Sequence, residues 1–295
     1  MSSPVTLLDA ARTRWAQVSA EFPGMAPALP LHQALMTLQI ELFEGLAEAP
    51  VPATDELDTI ARALSGGAPA FRALPVPGAL EGAIPWLGRF ADALATGGAG
   101  PAATKVKAAF ESGHVDPLAF LAASWHRDAA AANGLTEGTG LNRQVVWLVA
   151  DLASAPFAHR AQHALLGGSE PMQEAVAAWA RGHCPACGAW PSIGEYFLGD
   201  RLNRCAYCAA AWPLPLPGCT YCHEHGPDFR VVVTNRERPG RRLELCRTCG
   251  GYLKTLDVGR PIPFPLLAIE DLASQDLDGA ALHHGFRRMP LRQNT

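Results

Sequence analysis

Four identical Cys-x-x-Cys pairs, confined to 66 of the chain's 295 residues, govern what it can fold into. They are Cys184-Pro-Ala-Cys187, Cys205-Ala-Tyr-Cys208, Cys219-Thr-Tyr-Cys222 and Cys246-Arg-Thr-Cys249. The first 183 residues contain no cysteine. Each pair makes a tight knuckle with both sulfurs on one side. Two knuckles joined by a hairpin supply four thiolates in a tetrahedron. The gaps between pairs are 17, 10 and 23 residues. The two longer gaps suit hairpin excursions. The shortest carries Pro213, Pro215 and Pro217 and reads as a stiff connector. The spacing therefore predicts one site from Cys184, Cys187, Cys205 and Cys208 and a second from Cys219, Cys222, Cys246 and Cys249. An interleaved grouping, with the first and third knuckles sharing a metal, stays open at this level. Gly188 and Gly250 follow two of the knuckles, where a positive φ is commonly needed.

Structural metal sites are the reading that fits four equal pairs. A thioredoxin-type dithiol needs one such pair at a helix N-terminus after a strand, and four in knuckle spacing fit that badly. A closed four-cysteine site has no position for a substrate water, which counts against hydrolytic metal catalysis. Iron and zinc both accept tetrahedral sulfur, so ligand type leaves the metal undecided. His183, His223 and His225 flank the knuckles and read as exposed neighbours rather than ligands. His159 and His163 are four apart, but no acidic residue completes a metal-binding frame around them.

Before Gly182 the texture is helical. Apolar residues recur at helical spacing over 6–20, 31–46, 56–64, 84–94, 141–152 and 170–181. Asp116-Pro117 marks another start, and 65–78 reads as a Pro/Gly-rich loop. After Gly182, β-like runs appear at 193–198, 229–234 and 243–245. Residues 258–267 read as extended, with a short helix near 270–282. The expected class is α+β: an N-terminal all-helical domain (1–182), two tandem rubredoxin-like or zinc-ribbon modules (183–215 and 216–258), and a C-terminal extended segment with a short helix (259–295).

The N-terminal stretch lacks a basic region followed by an apolar one, and no run approaches the roughly 18 apolar residues of a membrane span. Both point to a cytoplasmic protein, where a reducing milieu favours metal over disulfide. The formal net charge is −4. Residues 1–182 carry −6 and 183–295 carry +2 with cysteines counted as neutral. Eight thiolates and two divalent ions turn that +2 into −2, the opposite of a nucleic-acid footprint. The arginine-rich hairpin tip, with Arg236, Arg238, Arg241 and Arg242, is the best argument for the alternative of a nucleic-acid-binding zinc-ribbon protein. A small rubredoxin-type electron-transfer protein is a further alternative.

The stretch from His183-Cys-Pro-Ala-Cys-Gly to Trp212, then Cys219-x-x-Cys222, then Cys246-Arg-Thr-Cys-Gly-Gly-Tyr-Leu-Lys254, resembles the formate dehydrogenase accessory proteins of the FdhE family. The order and spacing of all four knuckles agree, as does the acidic Ala-Ile-Glu-Asp-Leu-Ala stretch at 268–273. The chain departs in its connector, where 213–218 carries no basic residue. The resemblance implies a cytoplasmic assembly factor and not an enzyme. It implies two iron ions held by the eight cysteines (zinc being the alternative) and the catalytic subunit of respiratory formate dehydrogenase as partner before export. No nucleic acid and no membrane span are expected, and a homo-oligomer is left open.

Overall fold

In a computed structural model, the described residues are 6–49, 53–167, 169–214, 217–233 and 240–290. Helices dominate the first part, as the apolar spacing predicts: Leu7–Glu21, Leu29–Gly45, Thr54–Ser65, Ile84–Leu94, Gly100–Glu111, Pro117–Trp125, Arg143–Leu166 and Glu170–Ala177. Their starts follow local chemistry. Thr6 accepts from the Asp9 N–H, and Asp116 accepts from the Leu118 N–H at 2.9 Å with Pro117 in the first turn. Three expectations change. The helix expected over 141–152 runs on to Leu166 with Pro156 inside it. Ala129–Thr136 forms a short helix that apolar spacing did not signal. The expected loop 65–78 contains a helical turn, Ala70–Ala73.

The chain divides into two compact units. One is built mainly from residues up to Glu48 and from Val76–Ala158; the other takes Ala49–Pro75 and His159–Arg292. In the first unit, Trp15, Ile40, Leu87, Phe90, Val106, Leu121, Trp125 and Val149 are buried. A polar knot sits within it: Asp151 accepts from Ser124 at 2.6 Å and from Arg127 at 2.7 Å. Among the described residues, no helix is long and apolar enough to cross a membrane.

The second unit carries, among the described residues, one six-stranded sheet. The strands are β1 (Pro191–Phe197), β2 (Asp200–Cys205), β3 (Ala211–Pro213), β4 (Phe229–Val233), β5 (Arg241–Cys246) and β6 (Tyr252–Asp257), in the order β3-β2-β1-β6-β5-β4. Sequence periodicity missed β2, β3 and β6. Within each half the strands are antiparallel, and β1 pairs with β6 in parallel, Ile193 opposite Lys254. The two expected modules are thus fused into one sheet. Each half repeats one plan: knuckle, strand, strand, knuckle, strand. Because β1 and β6 run the same way and each follows a knuckle, both cysteine clusters lie at the same end of the sheet. The C-terminal helix proves to be two, Leu267–Ala273 and Gln275–His283. Leu277 and Ala281 of the second pack on Leu243 and Tyr252 of the sheet. At the sheet's edge, Val231, Val232 and Val233 of β4 are exposed.

Candidate metal centres

Each knuckle is built by the same backbone device. The N–H of its first cysteine donates to the carbonyl five residues on: Cys184 to Ala189 at 2.8 Å, Cys205 to Ala210 at 2.9 Å, Cys219 to Glu224 at 2.7 Å and Cys246 to Gly251 at 3.0 Å. Reversing the chain this tightly requires a left-handed residue just before that carbonyl. Gly188 and Gly250 supply it, at φ 84° and 70°. Ala209 and His223 occupy the same place, at φ 58° and 62°. A search for glycine therefore finds only half of these turns. Backbone N–H groups also point at the sulfurs: Tyr207 and Cys208 toward Cys205 Sγ, Tyr221 toward Cys219 Sγ, and Gly251 toward Cys249 Sγ, at 3.3–3.4 Å. Such donors stabilise negative charge on sulfur.

The sequential grouping is the one the structure adopts. Cys184, Cys187, Cys205 and Cys208 converge, as do Cys219, Cys222, Cys246 and Cys249, with the sulfurs of each set within 4.8 Å of one another. Neighbouring sulfurs are 3.4 Å (Cys187–Cys205) to 3.7 Å (Cys219–Cys249) apart. A tetrahedron with metal–sulfur bonds of about 2.3 Å has edges of about 3.8 Å, so each cluster is sized for one ion. All eight cysteines are unbridged. Burial pushes the Cys184 and Cys208 thiols well above their usual range, and it raises Cys249 to about 11. Burial acts on Cys205 in the same sense, but hydrogen bonds from its three neighbouring thiols outweigh it and hold this sulfur low. Four thiolates packed so closely are compatible with burial only around a cation. The donor set and its spacing fit a thiophilic tetrahedral ion.

The first cluster is gripped by elements distant in sequence. The turn Ala70–Ala73 donates its first two N–H groups to the first knuckle, Ala70 to Pro185 O and Phe71 to Ala186 O, each at 2.8 Å. These are donors that a helix start leaves without partners of its own. His159 Nδ1 lies 3.0 Å from Cys208 O, and its ring stacks on Phe264 with centroids 4.6 Å apart. Burial lowers the His159 pKa to about 4, so the ring is neutral and its Nδ1–H donates to that carbonyl. Trp179 Nε1 donates to His183 O at 2.8 Å, and Trp212 Nε1 donates to Arg181 O at 3.2 Å. The sequence reading of His183 as exposed is corrected. It is buried, because its ring packs edge-on between the indoles of Trp179 and Trp190. His223 and His225 are exposed, as expected. Trp190 in turn meets Tyr221, which sits inside the third knuckle, at 5.2 Å, so an aromatic run links the two clusters.

The hairpin arginines separate into two groups. Arg236 and Arg238 lie outside the described residues. Arg242 pairs with both oxygens of Asp257 and lies over the Tyr196 ring at 4.6 Å. Arg241 donates to Ala273 O at 3.0 Å and faces Asp276 at 3.6 Å.

Helices and a fused double sheet that presents two four-cysteine clusters at one end define a tandem rubredoxin-like or zinc-ribbon protein with two candidate metal sites. No family model and no curated protein matches the chain. Among solved structures it is similar to the crystal structure of the FdhE protein from Pseudomonas aeruginosa. The TM-score is 0.60 and the sequence identity 25%, over 98% of this chain and 95% of that one. The resemblance carried by the knuckles thus extends to a fold shared along almost the whole chain, including the helical part where the motifs are silent.

Proposed function

We propose that this chain is an FdhE-like accessory factor in the maturation of formate dehydrogenase. One observation carries the reading: a fold similar to FdhE over nearly the full length, combined with two complete four-cysteine clusters. In this reading the eight cysteines are the metal ligands, one ion sits in each cluster, and the ions are iron. The protein is cytoplasmic and non-catalytic, and it binds the catalytic subunit of respiratory formate dehydrogenase before export. The segments 1–182, 183–215, 216–258 and 259–295 serve as helical, first-knuckle, second-knuckle and C-terminal parts. What supports a non-catalytic role is the chemistry of the sites: four protein thiolates close the coordination sphere and leave no place for substrate. The nucleic-acid alternative is weakened by Arg241 and Arg242, which already face carboxylates within the protein.

The test is recovery of the partner. Tagged full-length protein, expressed in its native host under anaerobic conditions, is expected to co-purify the formate dehydrogenase catalytic subunit. A deletion strain is expected to lose formate dehydrogenase activity. Normal activity in that strain would overturn the reading. Metal analysis with absorption spectra of anaerobically purified protein checks the ion; two irons with thiolate charge-transfer bands are expected, and an all-zinc protein would overturn the iron assignment alone.

A further inference from the structure

The two clusters have the same ligands and the same backbone geometry but different access to water. In the first cluster Cys184, Cys187, Cys205 and Cys208 are all buried, none above 1% exposed. In the second, Cys219 and Cys246 are buried, Cys222 is exposed and Cys249 is half-buried. The cause lies in what surrounds each knuckle pair. The first has the Ala70–Ala73 turn on one knuckle, His159 on the other, and Trp179 and Trp212 over the chain leading into it. The second is packed on one side, where Gly251 leaves room for Tyr221 and Met289 beside Cys249. Cys222 is itself exposed, as are His223, which follows it in the chain, and His225.

Replacing a ligand on a closed four-coordinate ion requires an entering donor to reach it, with brief expansion to five-coordination. Only a cluster with an open edge permits that. We propose that the second cluster is an exchangeable metal site, entered at Cys222, and that the first is a fixed one. The entering group is a soft donor, a thiolate or imidazole, carried by a partner protein or a small chelator. As it bonds the ion, the Cys222 thiolate leaves and takes a proton from water. Cys219, Cys246 and Cys249 hold the ion until further donors arrive. No electron moves, and the charge on the ion is unchanged. The first cluster holds its ion because no edge of it is open to such a donor. This inference rests on the reading of both clusters as metal sites, and it holds for either metal.

The test uses the full chain loaded with zinc, its metal content measured first. A chromogenic pyridylazo-resorcinol chelator is then added. The expected result is loss of one of the two equivalents in a fast phase, with the other retained until denaturant is added. Iodoacetamide present during the fast phase, read by peptide mass spectrometry, is expected to mark Cys219, Cys222, Cys246 and Cys249. It is expected to leave Cys184, Cys187, Cys205 and Cys208 unmarked. This second readout needs no variant. In Cys222→Ser, one equivalent is expected to be missing from the outset while the slow one remains. Release of both equivalents in one phase, or first labelling at the 184–208 set, overturns the inference and leaves the metal assignment standing. A chain that takes up fewer than two equivalents overturns the metal assignment, and the inference with it.

Discussion

Lys254 has its charged end enclosed within the protein. Its side chain is fully buried, and Nζ lies 2.7 Å from Asp271 Oδ1 and 2.8 Å from Asp278 Oδ2. Tyr252 donates its hydroxyl to Asp278 at 2.7 Å, and Arg288 closes the group from outside by pairing with both carboxylates. Burial alone would raise the Asp271 pKa. The Lys254 ammonium and Arg288 guanidinium outweigh it and hold the group below its ordinary value of 3.8. Removing one partner of a buried pair leaves an uncompensated charge, so Lys254→Met is expected to lower stability by about 3 kcal/mol at neutral pH. Urea unfolding of metal-loaded protein measures it. The pH dependence follows from the sign of the Asp271 shift. A carboxylate whose folded pKa is depressed stabilises the fold above its unfolded pKa, and the contribution is lost as pH falls through the folded value. The gap between wild type and Lys254→Met is therefore expected to be full at neutral pH and to shrink in acid as the Asp271 carboxylate, the charge left uncompensated in the variant, takes up a proton. A gap that stays constant down the acid range would argue that Lys254 acts through packing alone.

Among the elements, the four-residue turn Ala70–Ala73 matters out of proportion to its length. Pro69 and the surrounding glycines read as a loop, and nothing local signals that this segment ends at a cysteine knuckle more than a hundred residues away. Its N–H groups are useful because a helix start cannot use them itself. Ala70→Pro tests the contact. Proline suits the first helical position and follows the extended Pro69, but it deletes the N–H that Pro185 O accepts and sets its Cδ against that oxygen. The expected loss is roughly 1–3 kcal/mol, seen as a lower thermal midpoint with unchanged helix content. A second long-range clamp joins the 258–265 segment to the sheet. Arg204 of β2 pairs with Glu195 of β1, Arg204 donates to Ile262 O at 2.7 Å, and Ile262 N–H donates to Glu195 at 3.1 Å. Buried charges on β1 and β2 break the apolar alternation by which strands are recognised, which is why β2 escaped the sequence reading. The strand β6 escaped for a similar reason, since Lys254 stands at its centre on a buried face.

For the molecule as a whole, the cysteine clusters and the sheet are one construction. Both clusters lie at one end of the fused sheet, where one knuckle of each makes the connection between two strands, β2 to β3 and β5 to β6. A structural four-thiolate site contributes roughly 10–16 kcal/mol of apparent binding energy, as large as the whole stability of an ordinary domain. Complete metal removal under reducing, denaturing conditions, followed by refolding without metal, is expected to leave residues 184–257 unprotected in amide hydrogen exchange. Helices such as Ile84–Leu94 and Pro117–Trp125, whose buried residues belong to the other unit, are expected to stay protected. Equal protection of the sheet with and without metal would show that its apolar packing suffices.

Much of this protein was legible from the order of its residues. Four equal cysteine pairs, two hairpin-length gaps and a proline connector specified two four-thiolate clusters, because a knuckle is a local structure and its ligand spacing survives in the sequence. The helical texture of the first half was legible for the same reason, since helix contacts lie three or four residues apart. The fusion of the two modules through the parallel β1–β6 pair was not, nor was the grip of Ala70, Phe71 and His159 on the first cluster. The two clusters look equivalent in sequence and become unlike only when distant segments fold over one of them. That inequality depends on burial, and burial is a property of contacts between residues far apart along the chain.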